Sequence, residues 1–166
     1  MGVSGCGKST LGAALARALG VAFIEADELH PAANIARMSS GVALSDADRR
    51  PWLRAVAGRL AQASKGRGAV AACSALKRAY RDLIRQGAQT GVTFVWLDLD
   101  AASLRQRLAS RQGHFMPASM LDSQLATLEP PAPDEDAVAV DGRLETERQL
   151  AFVLDRLGRP RALGVA

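Results

Sequence analysis

The feature that most limits the fold is a stretch at the very start of the chain, Gly2-Val3-Ser4-Gly5-Cys6-Gly7-Lys8-Ser9, followed by Thr10. It satisfies the phosphate-loop pattern G-x-x-x-x-G-K-[ST] at every fixed position. Glycines in such a turn let the main chain adopt positive φ and aim its N–H groups at an anion. The helix expected to begin near Lys8 adds the positive end of its dipole. In this reading Gly2, Ser4, Gly5, Cys6, Gly7, Lys8, Ser9 and Thr10 contact a nucleotide. Lys8 reaches the β- and γ-phosphates, and the Ser9 hydroxyl ligates Mg²⁺. Leu11, Leu15, Ala18 and Leu19 give the following segment the apolar stripe of a packed helix.

A phosphate loop joins a strand to a helix. Here only Met1 precedes it, so the strand expected at the centre of the sheet is missing from the sequence as given. The natural chain is therefore expected to carry about 8–12 further residues before Met1, enough for an apolar strand. Downstream, short apolar runs alternate with longer amphipathic ones, the pattern of βα units and a parallel sheet. Strands are expected at 21–24, 69–73, 92–97 and 137–140, each nearly all apolar, as befits strands covered on both faces. Helices are expected at 9–19, 50–63, 79–85, 101–111 and 145–157. Pro117 and Pro130-Pro131-Ala132-Pro133 punctuate the later part, and residues from Gly158 onward read as a frayed tail. At 166 residues the chain is expected to form one domain.

The first run ends in Glu25-Ala26-Asp27-Glu28-Leu29-His30-Pro31. Ligands of open α/β sheets sit beyond the carboxyl ends of the strands. Phosphoryl transfer needs a carboxylate to hold or deprotonate the acceptor hydroxyl and a cation to offset charge on the transferred group. Asp27 is the candidate for the first task, and Glu25 for Mg²⁺, through water. The alternative is a solvated turn with Asp27 as a helix cap. His30 is a candidate substrate contact. Lys77 and Arg81 follow the 69–73 run four residues apart, on one face of a helix that starts at the sheet's active edge. With Arg49 they are candidate contacts for an acidic group on the acceptor, because guanidinium and ammonium groups suit a carboxylate. Asp46 to Trp52 has a plainer reading as the cap and first turn of a helix, with Trp52 in the core.

Three blocks raise a resemblance. His30-Pro31-Ala32-Ala33-Asn34-Ile35-Ala36-Arg37-Met38, with Gly41, Leu44 and Asp46-Ala47-Asp48-Arg49-Arg50-Pro51-Trp52-Leu53, is similar to gluconokinases. So are Ala72-Cys73-Ser74-Ala75-Leu76-Lys77-Arg78-Ala79-Tyr80-Arg81 and Arg107-Leu108-Ala109-Ser110-Arg111-Gln112-Gly113-His114-Phe115-Met116, the last continuing to Leu121, Ser123-Gln124, Leu128 and Glu129-Pro130. The resemblance runs from Met1 to about Asp141. It implies a P-loop kinase fold, a three-layer α/β/α domain akin to shikimate and nucleoside monophosphate kinases, with a small lid at about 107–130. It implies transfer of a phosphoryl group from ATP, with Mg²⁺, to D-gluconate, and commonly a homodimer. Arg107 and Arg111 would then be lid arginines on the phosphates, Arg111 with a catalytic role. The loop at Asp141-Gly142-Arg143-Leu144 would border the adenine. The sequence departs from the family in Glu25, where Asp is usual, and Cys6, where a small polar residue is usual.

Composition excludes little. The net charge of +4 fits an anionic substrate as well as a nucleic acid, and aromatics at 4% offer no stacking platform for bases. No run approaches the ~18 apolar residues of a membrane span, and no signal-peptide pattern opens the chain, so a cytoplasmic protein with neither nucleic-acid nor membrane partners is expected. Cys6 and Cys73 make no disulfide framework and lack metal-ligand spacing. The rival readings are a shikimate or nucleoside monophosphate kinase, and a non-catalytic nucleotide-binding module.

Overall fold

The computed structural model describes residues 1–109 and 119–158. Their elements run α1 (Lys8–Leu19), β1 (Ala22–Glu25), a 3-10 turn (Ala26–Leu29), α2 (Ala32–Ser39), α3 (Asp46–Ser64), β2 (Ala69–Ala72), α4 (Arg78–Ala88), β3 (Phe94–Asp98), α5 (Ala101–Ala109), α6 (Ser119–Thr127), β4 (Ala137–Asp141) and α7 (Thr146–Arg156). Every expected strand and helix is present within a few residues. Helices α2 and α6 were not among the expectations. Each is short, at eight and nine residues, and follows closely on a proline in the sequence, where composition reads as punctuation.

Helix α3 starts earlier than expected because Ser45 caps it. The Ser45 hydroxyl accepts from the Asp48 N–H at 3.2 Å, and the Asp48 carboxylate accepts from the Ser45 N–H at 2.9 Å, a reciprocal capping box. Pro51 is the sixth residue of the helix, so the Ala47 carbonyl lacks the N–H donor that the helical ladder would otherwise give it. Trp52 and Leu53 follow, each 1% exposed.

The strands pair in parallel as two two-stranded sheets, β1–β2 and β3–β4, as expected of a parallel sheet whose central strand is missing from the sequence as given. Met1 and Gly2 bridge them. The Met1 amine donates to the Val95 carbonyl, the Leu97 N–H donates to the Met1 carbonyl at 3.1 Å, and the Gly2 N–H donates to the Ser74 carbonyl at 3.1 Å. These bonds flank Trp96 as a parallel ladder would, so Met1 sits in strand register beside β3 while Gly2 touches the end of β2. Between β2 and β3 lies a cavity of about 320 Å³ lined by apolar side chains such as Leu11, Leu15, Val70, Ile84 and Val95.

Helices cover both sides. On one, α1 packs against β1, β2 and α7, and α7 against β4; on the other, α3 packs against β2 and α4. The first core gathers Leu11, Leu15, Leu97, Leu104, Val140 and Val153, and the second Trp52, Leu53, Val56, Tyr80, Ile84 and Phe94. This is the three-layer α/β/α arrangement. Cys6 and Cys73 are free and buried, and burial pushes the Cys73 thiol up to about 12, so it is an inert small core residue. Among the described residues no helix is long and apolar enough to cross a membrane. The expected tail beyond Gly158 and the segment 110–118, with Arg111, lie outside the described residues.

Candidate active site

The register of β1 against β2 puts Glu25 beside Ala72, so two strands end together. The Gly2–Ser74 hydrogen bond brings the phosphate loop to the same edge. Three chain segments therefore converge there: the loop 2–9, the turn 26–29 and the segment 73–77.

The loop is built as its sequence requires. Gly2, Gly5 and Gly7 have φ of 137°, 82° and 102°, the left-handed region that side chains rarely adopt. Gly7 is the N-cap of α1, and no side chain caps the helix, so its opening N–H groups face outward with the dipole behind them. Lys8 Nζ donates to the Val3 carbonyl at 2.9 Å, curling back over the loop, and Ser9 and Thr10 are exposed. Two later elements brace the loop. Gln124 of α6 accepts from the Ser4 N–H through Oε1 at 2.6 Å, and Leu108 of α5 packs over Gly5, where a Cβ would meet it at 3.1 Å. Arg107 donates to the Cys6 carbonyl at 3.4 Å and to the Gly142 carbonyl at 2.8 Å, joining the loop to the 141–144 turn. Gly142 is required there, since a Cβ would lie 2.8 Å from the Asp98 carbonyl oxygen.

Asp27 is exposed in the 3-10 turn that follows β1. Trp52 fixes that turn from below: its indole Nε1–H donates to the Ala26 carbonyl at 2.7 Å. Asp27 and Lys8 both lie close enough to Cys73 for their charges to act on its thiol. His30 stacks on Trp52 with ring centroids 4.2 Å apart and an interplanar angle of 12°. Its Nδ1 is buried without a hydrogen-bond partner among the described residues. Burial, with help from the Arg49 charge and against that of Asp27, lowers His30 to about 4, so it is neutral near pH 7.

Arg49 and Lys77 come together across Tyr80. Their charged ends lie 6.0 and 5.6 Å from its ring centroid. Lys77 Nζ donates to both oxygens of Asp46, at 2.9 and 2.8 Å, and the Tyr80 hydroxyl donates to one of them. These contacts hold the Asp46 carboxyl below its ordinary range, the Lys77 bond first.

Arg81 departs from expectation. It is four residues from Lys77 but fully buried, donating to Glu135 through Nε at 2.6 Å and Nη2 at 2.7 Å, and through Nη1 to the carbonyls of Ala75, Leu76 and Glu129. With its donors spent on the scaffold, it is a structural residue and not a presented substrate contact. The reason is rotational: positions 77 and 81 share a face, but 77 is the N-cap, where the chain has not yet entered the helix, so its side chain leaves in another direction.

Sequence reasoning overlooked Asp46, Tyr80 and Gln124 as site residues. Tyr80 lies one turn beyond Lys77, a spacing that could have flagged it. Asp46 lies 31 residues from Lys77 and gives no local sign of their pairing. The 320 Å³ cavity belongs to the core: Lys8 reaches it, but Asp27, Arg49 and Lys77 do not line it.

Among the described residues no three-residue cluster of His, Cys, Asp or Glu could hold a metal ion. The donors at this edge are oxygens, the Ser9 hydroxyl with the Glu25 and Asp27 carboxylates. That set fits Mg²⁺, a hard cation usually held by one or two protein groups together with substrate phosphates.

Comparison with known proteins agrees with this site. The AAA domain family profile matches residues 1–131. The gluconokinase of Gluconobacter oxydans (strain 621H) is 49% identical over 160 residues, covering 96% of this chain and 87% of the relative. The crystal structure of a gluconokinase from Sinorhizobium meliloti 1021 superposes with a TM-score of 0.83 at 48% identity, covering 95% of this chain and 90% of that one. The APS kinase of Mycobacterium tuberculosis, at 19% identity and a TM-score of 0.68 over 95% of this chain and 94% of that one, shares the fold alone. A phosphate loop braced by α5 and α6, a carboxylate at the adjoining strand end and relatedness over nearly the whole chain lead to one assignment: the chain belongs to the gluconokinase family of P-loop kinases.

Proposed function

We propose that the chain transfers the γ-phosphoryl group of ATP to a hydroxyl of D-gluconate, giving ADP and 6-phospho-D-gluconate. The observation that carries this reading is the convergence of the phosphate loop, Asp27 and the Arg49–Lys77 pair on one strand-end edge. Loop N–H groups and Lys8 hold the β- and γ-phosphates. Asp27 takes the acceptor's proton as its oxygen attacks the γ-phosphorus, and the bond from that phosphorus to the β-phosphate oxygen breaks. Arg49 and Lys77 receive the acceptor's carboxylate. Arg107, with Arg111 from the segment outside the described residues, faces charge developing on the transferred group. Mg²⁺, where Ser9 and Glu25 hold it, supplies neutralisation of the phosphate oxygens. His30 borders the acceptor as a neutral ring. A cytoplasmic homodimer completes the reading, and light scattering of the purified protein tests the dimer.

An ADP-release assay over gluconate, shikimate and nucleoside monophosphates tests the reaction. Turnover with gluconate alone is expected, and turnover with another acceptor instead would overturn the substrate. Lys8→Ala should abolish transfer with the fold intact. Asp27→Asn should lower kcat far more than it weakens ATP binding, and near-full kcat in that variant would remove Asp27 from its role.

A further inference from the structure

The cationic cup already contains a carboxylate. Asp46 stands in the first turn of α3, one helical turn before Arg49, and its two oxygens take Lys77 Nζ and the Tyr80 hydroxyl. An acid acceptor presents that same group, a planar carboxylate able to accept from an ammonium and a hydroxyl at once. Arg49 also lies against the Tyr80 ring, and its side chain makes no hydrogen bond or ion pair among the described residues, whereas Lys77 is bonded to Asp46. The side chain of Asp46 is 63% exposed and that of Lys77 30%, so the pair is wet and exchangeable, unlike a buried bridge.

We propose that Asp46 is an internal counter-ion of the acceptor site, holding Lys77 while no acceptor is bound and yielding it to the acceptor's own carboxylate. This rests on reading Arg49 and Lys77 as the carboxylate subsite. Its consequence is a competition. Binding exchanges the Lys77–Asp46 pair for a Lys77–acceptor pair, with Arg49 adding contacts that Asp46 does not have. Asp46 therefore weakens acid acceptors somewhat, keeps Lys77 extended toward the cup, and makes neutral polyols poor competitors because they cannot replace a carboxylate on Lys77. It is a positioning residue, not a catalytic one.

The test is a double-mutant cycle on acceptor KM. Asp46→Asn keeps a hydrogen-bond acceptor for Tyr80 and removes the charge. The KM for gluconate should fall by about two- to fivefold, the range of an exposed ion pair, with kcat/KM rising by the same factor. In a Lys77→Ala background, where no ammonium remains to be released, Asp46→Asn should lower KM by clearly less, only its charge on Arg49 remaining to be removed. Asp46→Ser, a good residue for a helix start, provides a second variant should Asn perturb α3, and a thermal melt verifies folding. A KM that rises or stays level in both single variants overturns the counter-ion, as does an equal fall with and without Lys77. Wild-type turnover is read separately: a wild type active on gluconate with unmoved variants defeats only this inference, while a wild type inactive on gluconate defeats the reaction as well.

Discussion

Two of the cations on helix α4 and its capping residue, Lys77 and Arg81, have opposite fates. Lys77 is partly exposed, faces the cup and holds one wet carboxylate. Arg81, four residues on, is sealed against Glu135, whose side chain is 1% exposed. The Arg81 bond holds Glu135 at about 2, and Arg85 adds a further contact at 3.2 Å. The Arg81–Glu135 pair, with the carbonyls around Arg81, clamps the 129–135 connector to the end of β2. The contrast teaches that two like charges at helical spacing need not share a task. Burial and available partners decide which one scaffolds and which one binds.

The largest expected effect is on the scaffold side. Arg81→Ala takes from buried Glu135 its two-pronged partner and leaves it only Arg85 and the Ala132 N–H, and breaking such a pair costs about 3–5 kcal/mol. Denaturant unfolding should show that loss, and a change under about 1 kcal/mol would erase the distinction. Next, Lys77→Ala should raise the KM for gluconate by about 10- to 100-fold, the worth of a charged hydrogen bond. It should move stability by less than about 1 kcal/mol, since the Asp46 pair is exposed. A large drop in Tm with unchanged KM would invert the two roles.

Acid separates them further. Glu135 has its folded value depressed from 4.5 to about 2, so its stabilisation is full above pH 4.5 and is lost as pH falls from there toward about 2. Melts of the wild type should show this acid limb, and Glu135→Gln, less stable at neutral pH, should lack it. The smallest effect concerns His30. Its value is lowered from 6.5 to about 4, so the unfolded chain gains a proton first as pH falls, and stability drops between those values. His30→Phe, which retains a ring on Trp52, should flatten that part of the Tm-against-pH curve; an unchanged slope would show that His30 is not its source.

Much of the fold and part of the site are legible in the order of the residues. The glycine spacing of residues 2–9 dictates a loop with positive φ, because few other sequences permit one. Uniformly apolar runs mark covered parallel strands. Asp27 is readable from its place just past a strand, and Trp52 from its apolar context after a helix start. Helices α2 and α6 are not readable, since short segments between prolines owe their helicity to packing more than to propensity.

The sequence by itself determined the phosphate loop, the alternation of strand and helix, and which residues carry charge. Only the tertiary structure decided what those charges meet. It turned Arg81 inward to Glu135, set Asp46 on Lys77 across 31 residues of chain, and joined two small sheets through Met1 and Gly2. The reason is one of range. Backbone preference and hydrophobic period act over neighbouring residues, whereas an ion pair or a buried donor is defined by partners that only folding brings together.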